Sequence, residues 1–310
     1  GQSPRERVYS ASALQKFAVC PYQFFLSAIW RSEPRRDAIP LVELDPLTRG
    51  SMYHQVQAET LLALERAGAL PLDPVRLAGA TDVLDQTFDQ LAARYREDLA
   101  PAILRVWEDE TEALRADLRA WLRTMAFDES GWVPRHFEFG FGMPPDSQID
   151  PHSRREPVTL EGGYQLRGMI DLVEERSGEM RATDHKTGRN YTKPGIRVGG
   201  GEILQPVLYA LALEAVFARP VPESRLYFAT SRGGFTARVV PIDEFARRYA
   251  REALEIIDRS ITGCVLPAAP RAQACAWCDF RLVCGPDQEE RSARKAIELT
   301  KDLTELRKLT

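Results

Sequence analysis

The sequence predicts an α/β fold: a mixed central sheet flanked by helices, with a helical insertion ahead of it. Three observations carry that reading. Helical periodicity fills the first half of the chain. Runs with alternating polarity or β-rich composition cluster between residues 135 and 186. A helical pattern then separates two more strand-like runs, the alternation of an α/β core. The 310 residues are 44% hydrophobic, 28% charged and 9% aromatic, enough for a real core. Disorder, collagen and small disulfide scaffolds are excluded. At roughly 150 residues per domain, the length fits about two domains or one large elaborated one.

Taken in order, Ser12 and Gln15 form a capping-box pattern that starts an aromatic-rich helix, which Cys20-Pro21 breaks before Tyr22, Phe24, Phe25, Ile29 and Trp30 continue it. Residues 31–45 are polar and read as a linker. Helices follow at 47–66, where Gly50 and His54 share a face, and at 74–98 and 101–126, both amphipathic. Strands are expected at 135–142, 157–161, 164–174 and 180–186, then a helix at 201–218, strands at 223–230 and 235–241, and a helix at 242–262. Gly199-Gly200-Gly201 reads as a flexible connector. A cysteine-rich loop, 264–284, precedes one charged helix at 288–309. The divisions are 1–44, 45–130, 131–263 and 264–310, together one compact domain.

No apolar run reaches the roughly 18 to 20 residues of a membrane span. The longest, 206–218, is interrupted by Glu214 and reads as a buried helix. The start at Gly1-Gln2-Ser3-Pro4, with no Met and no signal-peptide pattern, suggests a piece of a longer polypeptide in a cytoplasmic setting. No G-x-x-x-x-G-K-[ST] loop is present, so a nucleotide-driven motor of that type is not in this chain. Lys plus Arg number 41 against 45 Asp plus Glu, a net charge of -4, whereas nucleic-acid binders are usually basic. Basic clusters do occur, Arg31 with Arg35 and Arg36, and Lys186 with Arg189, Lys193 and Arg197; the ordinary reading of each is a solvated face.

The chemistry concentrates in two adjacent strands. Period-2 alternation puts Asp171 on the face of Met169 and Val173, opposite Ile170 and Leu172. The same rule puts Asp184 and Lys186 together, with His185 opposite. If the strands pair, two carboxylates and an ammonium converge, which suits a hard divalent cation and an attacking water. Each residue alone has a plainer role: an Asp at a strand end is usually a cap, a helix-face His is usually satisfied locally, and His136 and His152 join no motif and read as surface residues.

The ordered series, Gly50-x-x-x-His54, Gly168-x-x-Asp171, Asp184-His185-Lys186 and Gln205-x-x-x-Tyr209, resembles the PD-(D/E)XK nuclease superfamily, in its branch related to the RecB and AddB nuclease domains. The resemblance runs through nearly all the chain. It implies a restriction-endonuclease-like core in which His54, Asp171, Asp184 and the His185 backbone carbonyl hold Mg²⁺ or Mn²⁺ and Lys186 is the catalytic lysine. It also implies that Gln205 and Tyr209 contact the nucleic-acid strand, and it matches Glu138 to a Glu on an early core strand. Arg189 and Lys193, just beyond the catalytic strand, can guide phosphates.

Five cysteines, an odd count, argue against a disulfide framework. Cys275, Cys278 and Cys284 supply three thiolates, and Cys264 or Cys20 can supply a fourth. Spacing fits zinc or iron–sulfur, and the commonness of C-x-x-C zinc sites favours zinc. The resemblance reverses that preference, implying a [4Fe–4S] cluster on Cys20, Cys275, Cys278 and Cys284, walled by Trp277, Phe280 and Leu282, with Cys264 spare and buried. Such a staple closes a loop whose disulfide equivalent contributes about 5 kcal/mol.

The function expected is metal-dependent, exonuclease-type hydrolysis of DNA, on a single-stranded end, in repair or recombination. A helicase motor is expected in the same polypeptide or on a partner chain. A CRISPR-associated-type exonuclease and an inactive DNA-binding module of the same fold are the rivals.

Overall fold

In chain order the elements are β1 (Tyr9–Ser10), α1 (Ala11–Val19), α2 (Pro21–Phe24), α3 (Pro46–Arg66), α4 (Leu77–Leu99), α5 (Leu104–Ala126), β2 (Val133–Phe141), β3 (Val158–Thr159), β4 (Gln165–Arg176), β5 (Glu179–Lys186), α6 (Gln205–Phe217), β6 (Glu223–Phe228), β7 (Thr236–Pro241), α7 (Glu244–Thr262), α8 (Arg281–Cys284), α9 (Gln288–Ala293) and α10 (Ile297–Leu306). The computed structural model describes residues 1–33, 42–144, 150–190 and 192–310; Arg35 and Arg36 lie outside them.

β4 organises the mixed sheet. Its start pairs with β1 in parallel and with β3 antiparallel, and its remainder is flanked by β2 and β5, both antiparallel. β6 lies parallel to β5 across the α6 crossover, and β7 closes the edge antiparallel to β6. Helices cover both faces. One core gathers α1, α6, α7 and α10 around Phe139, Phe141, Ile170 and Val173; the other gathers α3, α4 and α5 around Phe137, Leu172 and Tyr227.

Local signals fix several helix starts. Asp45 caps α3 by accepting from the Leu47 and Thr48 N–H groups, with Pro46 in the first turn, and Asp243 caps α7 through Ala246. The capping-box reading of Ser12 is corrected: Ser10 caps α1, accepting from Ala13 N–H, and Gln15 accepts instead from the backbone N–H of Gln205 at 2.8 Å. The single tail helix is corrected to two, α9 and α10. The glycine run is not a flexible connector either. Its three residues form a turn at positive φ, Gly200 N–H donates to Leu309 O, and a Cβ on Gly201 would lie 2.9 Å from Ala18 and 3.0 Å from Leu306. Close packing of the tail against α1 therefore requires glycine there.

Alternation along β4 slips where it matters most. Ile170 and Leu172 enter opposite cores, and Val173 rejoins the core of Ile170, so the period-2 placement of Asp171 fails at that residue. Opposite it, Phe137 and Phe139 also enter different cores, and Glu138 between them has a φ of 53°.

Below this point a buried polar network ties three strands. Glu174 on β4 accepts two bonds from Arg181 and one from the Thr183 hydroxyl, both on β5, and two more from Arg225 on β6. Fixed hydrogen-bond geometry at a buried charge admits one strand register and penalises others. Glu174→Gln removes the buried charge that both guanidinium groups share, leaving Arg181 with Glu223 and Arg225 with Asp128, and is expected to destabilise the protein by about 3 kcal/mol in urea unfolding. A loss below about 1 kcal/mol would show that the network contributes little.

Candidate active site

The β4–β5 ladder ends at the Leu172–Thr183 pair, while β5 continues alongside β6 as far as Lys186. The strands thus part at Asp171 and Asp184. The His185 N–H, deprived of a β4 carbonyl, donates to Asp171 Oδ2 at 2.6 Å. Burial pushes the Asp171 carboxyl up to about 6, against the pull of His54 and with the push of Asp184.

α3 brings His54 to the same point, Nδ1 lying 3.3 Å from Asp171 and 3.8 Å from Glu138. Burial, then the neighbouring Asp171 and Asp184, push the Glu138 carboxyl up to about 8. His54, Glu138 and Asp171 open on a cavity of about 460 Å³ beside Gly50 and Tyr95. Ligand atoms of His54, Asp171 and the His185 side chain lie within 4.8 Å of one another, so these three could hold a metal ion. The His185 ring itself packs in the α5-side core, near Trp121 and Tyr227, where burial drives its pKa well down and keeps it neutral.

Asp184 stands beside this group, with both oxygens engaged. Gln205 Nε2 donates to Oδ1 at 2.6 Å, and Lys186 Nζ lies 2.6 Å from Oδ2 and 3.4 Å from Gln205 Oε1. Asp184 and Lys186 therefore share one side, as alternation requires. Tyr209, one turn along α6, lies across Gly168, where a Cβ would come within 2.7 Å of its ring; this explains the glycine three residues before Asp171. Burial raises the Tyr209 hydroxyl well above its ordinary value, so it remains a neutral phenol.

The basic residues divide. Arg189 is exposed, and Lys193 borders a separate cavity with Lys16 and Arg271. Arg197 instead forms a bidentate pair with Asp243, which removes it from the set free to follow a phosphate backbone.

Cys20, Cys275, Cys278 and Cys284 line one cavity of about 380 Å³. Cys264 is exposed beyond α7, not buried as expected. The expected apolar wall is also corrected: Phe280 is buried, but Trp277 and Leu282 are 89% and 87% exposed, because the short turns that carry them face solvent.

Sequence reasoning missed the Gln15–Gln205 contact and the left-handed backbone of Glu138, neither of which has a local pattern. It also treated His136 as a surface residue, whereas it is buried beside Asp150.

A family model of the PD-(D/E)XK nuclease superfamily matches residues 8–285. The chain belongs to that superfamily. Among relatives of this PD-(D/E)XK chain, an ATP-dependent helicase/deoxyribonuclease subunit of Moorella thermoacetica is 31% identical over 280 residues, covering 83% of this chain and 22% of that protein. The protein of the same name from Caldanaerobacter subterraneus subsp. tengcongensis is 26% identical over 199 residues, covering 59% and 15%. Gene 69 protein of Mycobacterium phage L5 is 27% identical over 132 residues, covering 41% and 42%. The chain thus spans less than half the length of each of these relatives.

Because Glu138 titrates at about 8 instead of 4.5, the folded protein keeps a proton that the unfolded chain has released. Stability of the metal-free protein should fall as pH rises through that window. Glu138→Gln removes the penalty, so in EDTA its Tm should exceed wild type by a margin that is small near pH 5 and largest at pH 8. A margin independent of pH would show that the carboxyl's charge is not responsible.

Proposed function

We propose that this PD-(D/E)XK domain is a metal-dependent deoxyribonuclease that cuts single-stranded DNA from an end, by in-line attack of water on the phosphodiester. The observation that carries the reading is the convergence of Asp171, Asp184, Lys186 and Gln205, with His54 and Glu138, where β4 and β5 part. The donor set fits a divalent cation: oxygen and imidazole ligands, with burial and neighbouring carboxylates raising the proton affinity of Asp171 and Glu138, a cost that a bound cation would offset. His54, Asp171 and Asp184 would hold Mg²⁺ or Mn²⁺, joined by His185 through its carbonyl. When bound, the ion supplies Lewis acidity at the phosphate and a more acidic water. Lys186 orients that water and offsets charge on the phosphate, Gln205 positions Lys186 and Asp184, and Tyr209 supports the strand alongside Arg189 and Lys193.

The name of the two helicase/deoxyribonuclease relatives, and the small fraction of them that this chain spans, support a helicase motor as partner, in a cytoplasmic repair or recombination machine. The four cysteines fit a [4Fe–4S] cluster: they face one cavity, from both ends of the chain, with more room than a single Zn²⁺ at about 2.3 Å from each sulfur requires. Cys20, Cys275, Cys278 and Cys284 would hold the cluster as a structural clamp.

End-labelled single strands should be cut with Mg²⁺ or Mn²⁺ and left intact in EDTA. Lys186→Ala should lower the rate at least about 100-fold with strand binding retained. Cutting by that variant at the wild-type rate, or in EDTA, would overturn the assignment. Cys278→Ala should lose iron, acid-labile sulfide and brown colour and unfold at a lower temperature; a colourless wild type with stoichiometric zinc would replace the cluster by zinc.

A further inference from the structure

Outside the cleft, β2 and the segment 150–156 assemble a second constellation. Among the described residues β2 pairs with β4 on one side, and residues 150–156 run parallel to it along the other: Arg154 N–H donates to Gly140 O, Gly142 N–H to Arg154 O, and Gly140 N–H to Ser153 Oγ. Asp150 secures the segment, accepting from Phe137 N–H through Oδ2 at 3.1 Å and from His152 N–H through Oδ1 at 2.7 Å. Two imidazoles flank this carboxylate. His136 Nδ1 lies 3.3 Å from Oδ2 and His152 Nδ1 lies 3.4 Å from Oδ1. Ligand atoms of the three residues lie within 4.8 Å of one another.

His136 is 8% exposed, and among the described residues its buried Nδ1 has no well-aligned hydrogen bond, only the 3.3 Å approach to Asp150 Oδ2. A buried imidazole nitrogen in a poorly aligned contact costs free energy, and a cation between the three donors would remove that cost. With one ligand atom from each residue within 4.8 Å of the others, the cluster suits a small ion. Bonds of about 2.0 to 2.1 Å place the ligand atoms of a tetrahedral Zn²⁺ about 3.3 to 3.4 Å apart. Two imidazole nitrogens and one carboxylate favour a borderline transition ion over Mg²⁺ or Ca²⁺, which prefer all-oxygen sites. The exposed side at His152 leaves the fourth position to water.

We propose that His136, Asp150 and His152 form a Zn²⁺-class metal site, separate from the catalytic carboxylates and from the cysteines. The ion ties the segment 150–156 to β2, two residues before Glu138. Its role is structural and does not depend on the nuclease reading.

Only four histidines occur in the chain, so ¹⁵N-histidine-labelled protein gives a readable imidazole spectrum. Titration with Zn²⁺ should shift the Nδ1 signals of His136 and His152, the latter assigned by its loss in His152→Ala. Calorimetry of the same protein should show one Zn²⁺ equivalent weakened at least about 100-fold in His152→Ala, a change at an exposed side chain that leaves the fold intact. Asp184→Ala should retain that equivalent, which separates it from the catalytic centre. Unmoved His136 and His152 signals at excess Zn²⁺, or equal binding by wild type and His152→Ala, would overturn the site and leave an ordinary histidine–aspartate pair.

Discussion

The hydrogen bond from the His185 N–H to the Asp171 carboxylate is the point on which the architecture turns. It replaces the rung that would have continued the β4–β5 ladder, so β5 stays with β6 while leaving β4. Parallel pairing of β5 with β6 requires a crossover, and that crossover, α6, carries Gln205 onto Asp184 and lays Tyr209 over Gly168. Departure from β4 also lets the His185 ring enter the α5-side core, while Asp184 and Lys186 face the other way. One displaced rung thus places residues from three elements around a common space.

The electrostatics follow a division of labour between neighbouring layers. Glu174 is surrounded by two guanidinium groups and a hydroxyl, a charge fully answered by the protein itself. A few residues along the same strand, Asp171 is met by an imidazole and the His185 N–H, with no guanidinium, beside two other carboxyls. The first arrangement fixes the sheet; the second remains costly until something from outside neutralises it. The chain's overall acidity says little about this, because many of its arginines are committed to internal pairs such as Arg197–Asp243, Arg247–Glu214 and Arg259–Asp302.

The order of elements was legible because their periodicity is long; exact helix starts were not, since the one cap read from the sequence, Ser12, gives way to Ser10, and the caps at Asp45 and Asp243 emerge from the structure. The linkage of Asp184 with Lys186 was legible for the same reason, since both lie on one regular strand. Alternation misled at Asp171 because the side chains of β4 change face there, opposite the left-handed Glu138, and no pattern around Asp171 encodes that change. The cysteine wall was misread because apolar residues on four-residue turns are not obliged to face inward. Trp277 and Leu282 sit on such turns. His136 and Asp150 were out of reach of local patterns, since they meet only where residues 150–156 lie alongside β2.

The contact between Gln15 and the first backbone N–H of α6 has a consequence for how the two halves of the site communicate. α1 is nine residues long; it ends at the cysteine that faces the tail cavity, and its middle holds the start of the helix that presents Gln205. Arg307, from the far end of the chain, grips the last carbonyls of that same helix at Ala18 and Val19. α1 therefore joins the C-terminal segment of the chain to the start of α6, so the grip of Arg307 and the footing of Gln205 beside Asp184 rest on one short helix.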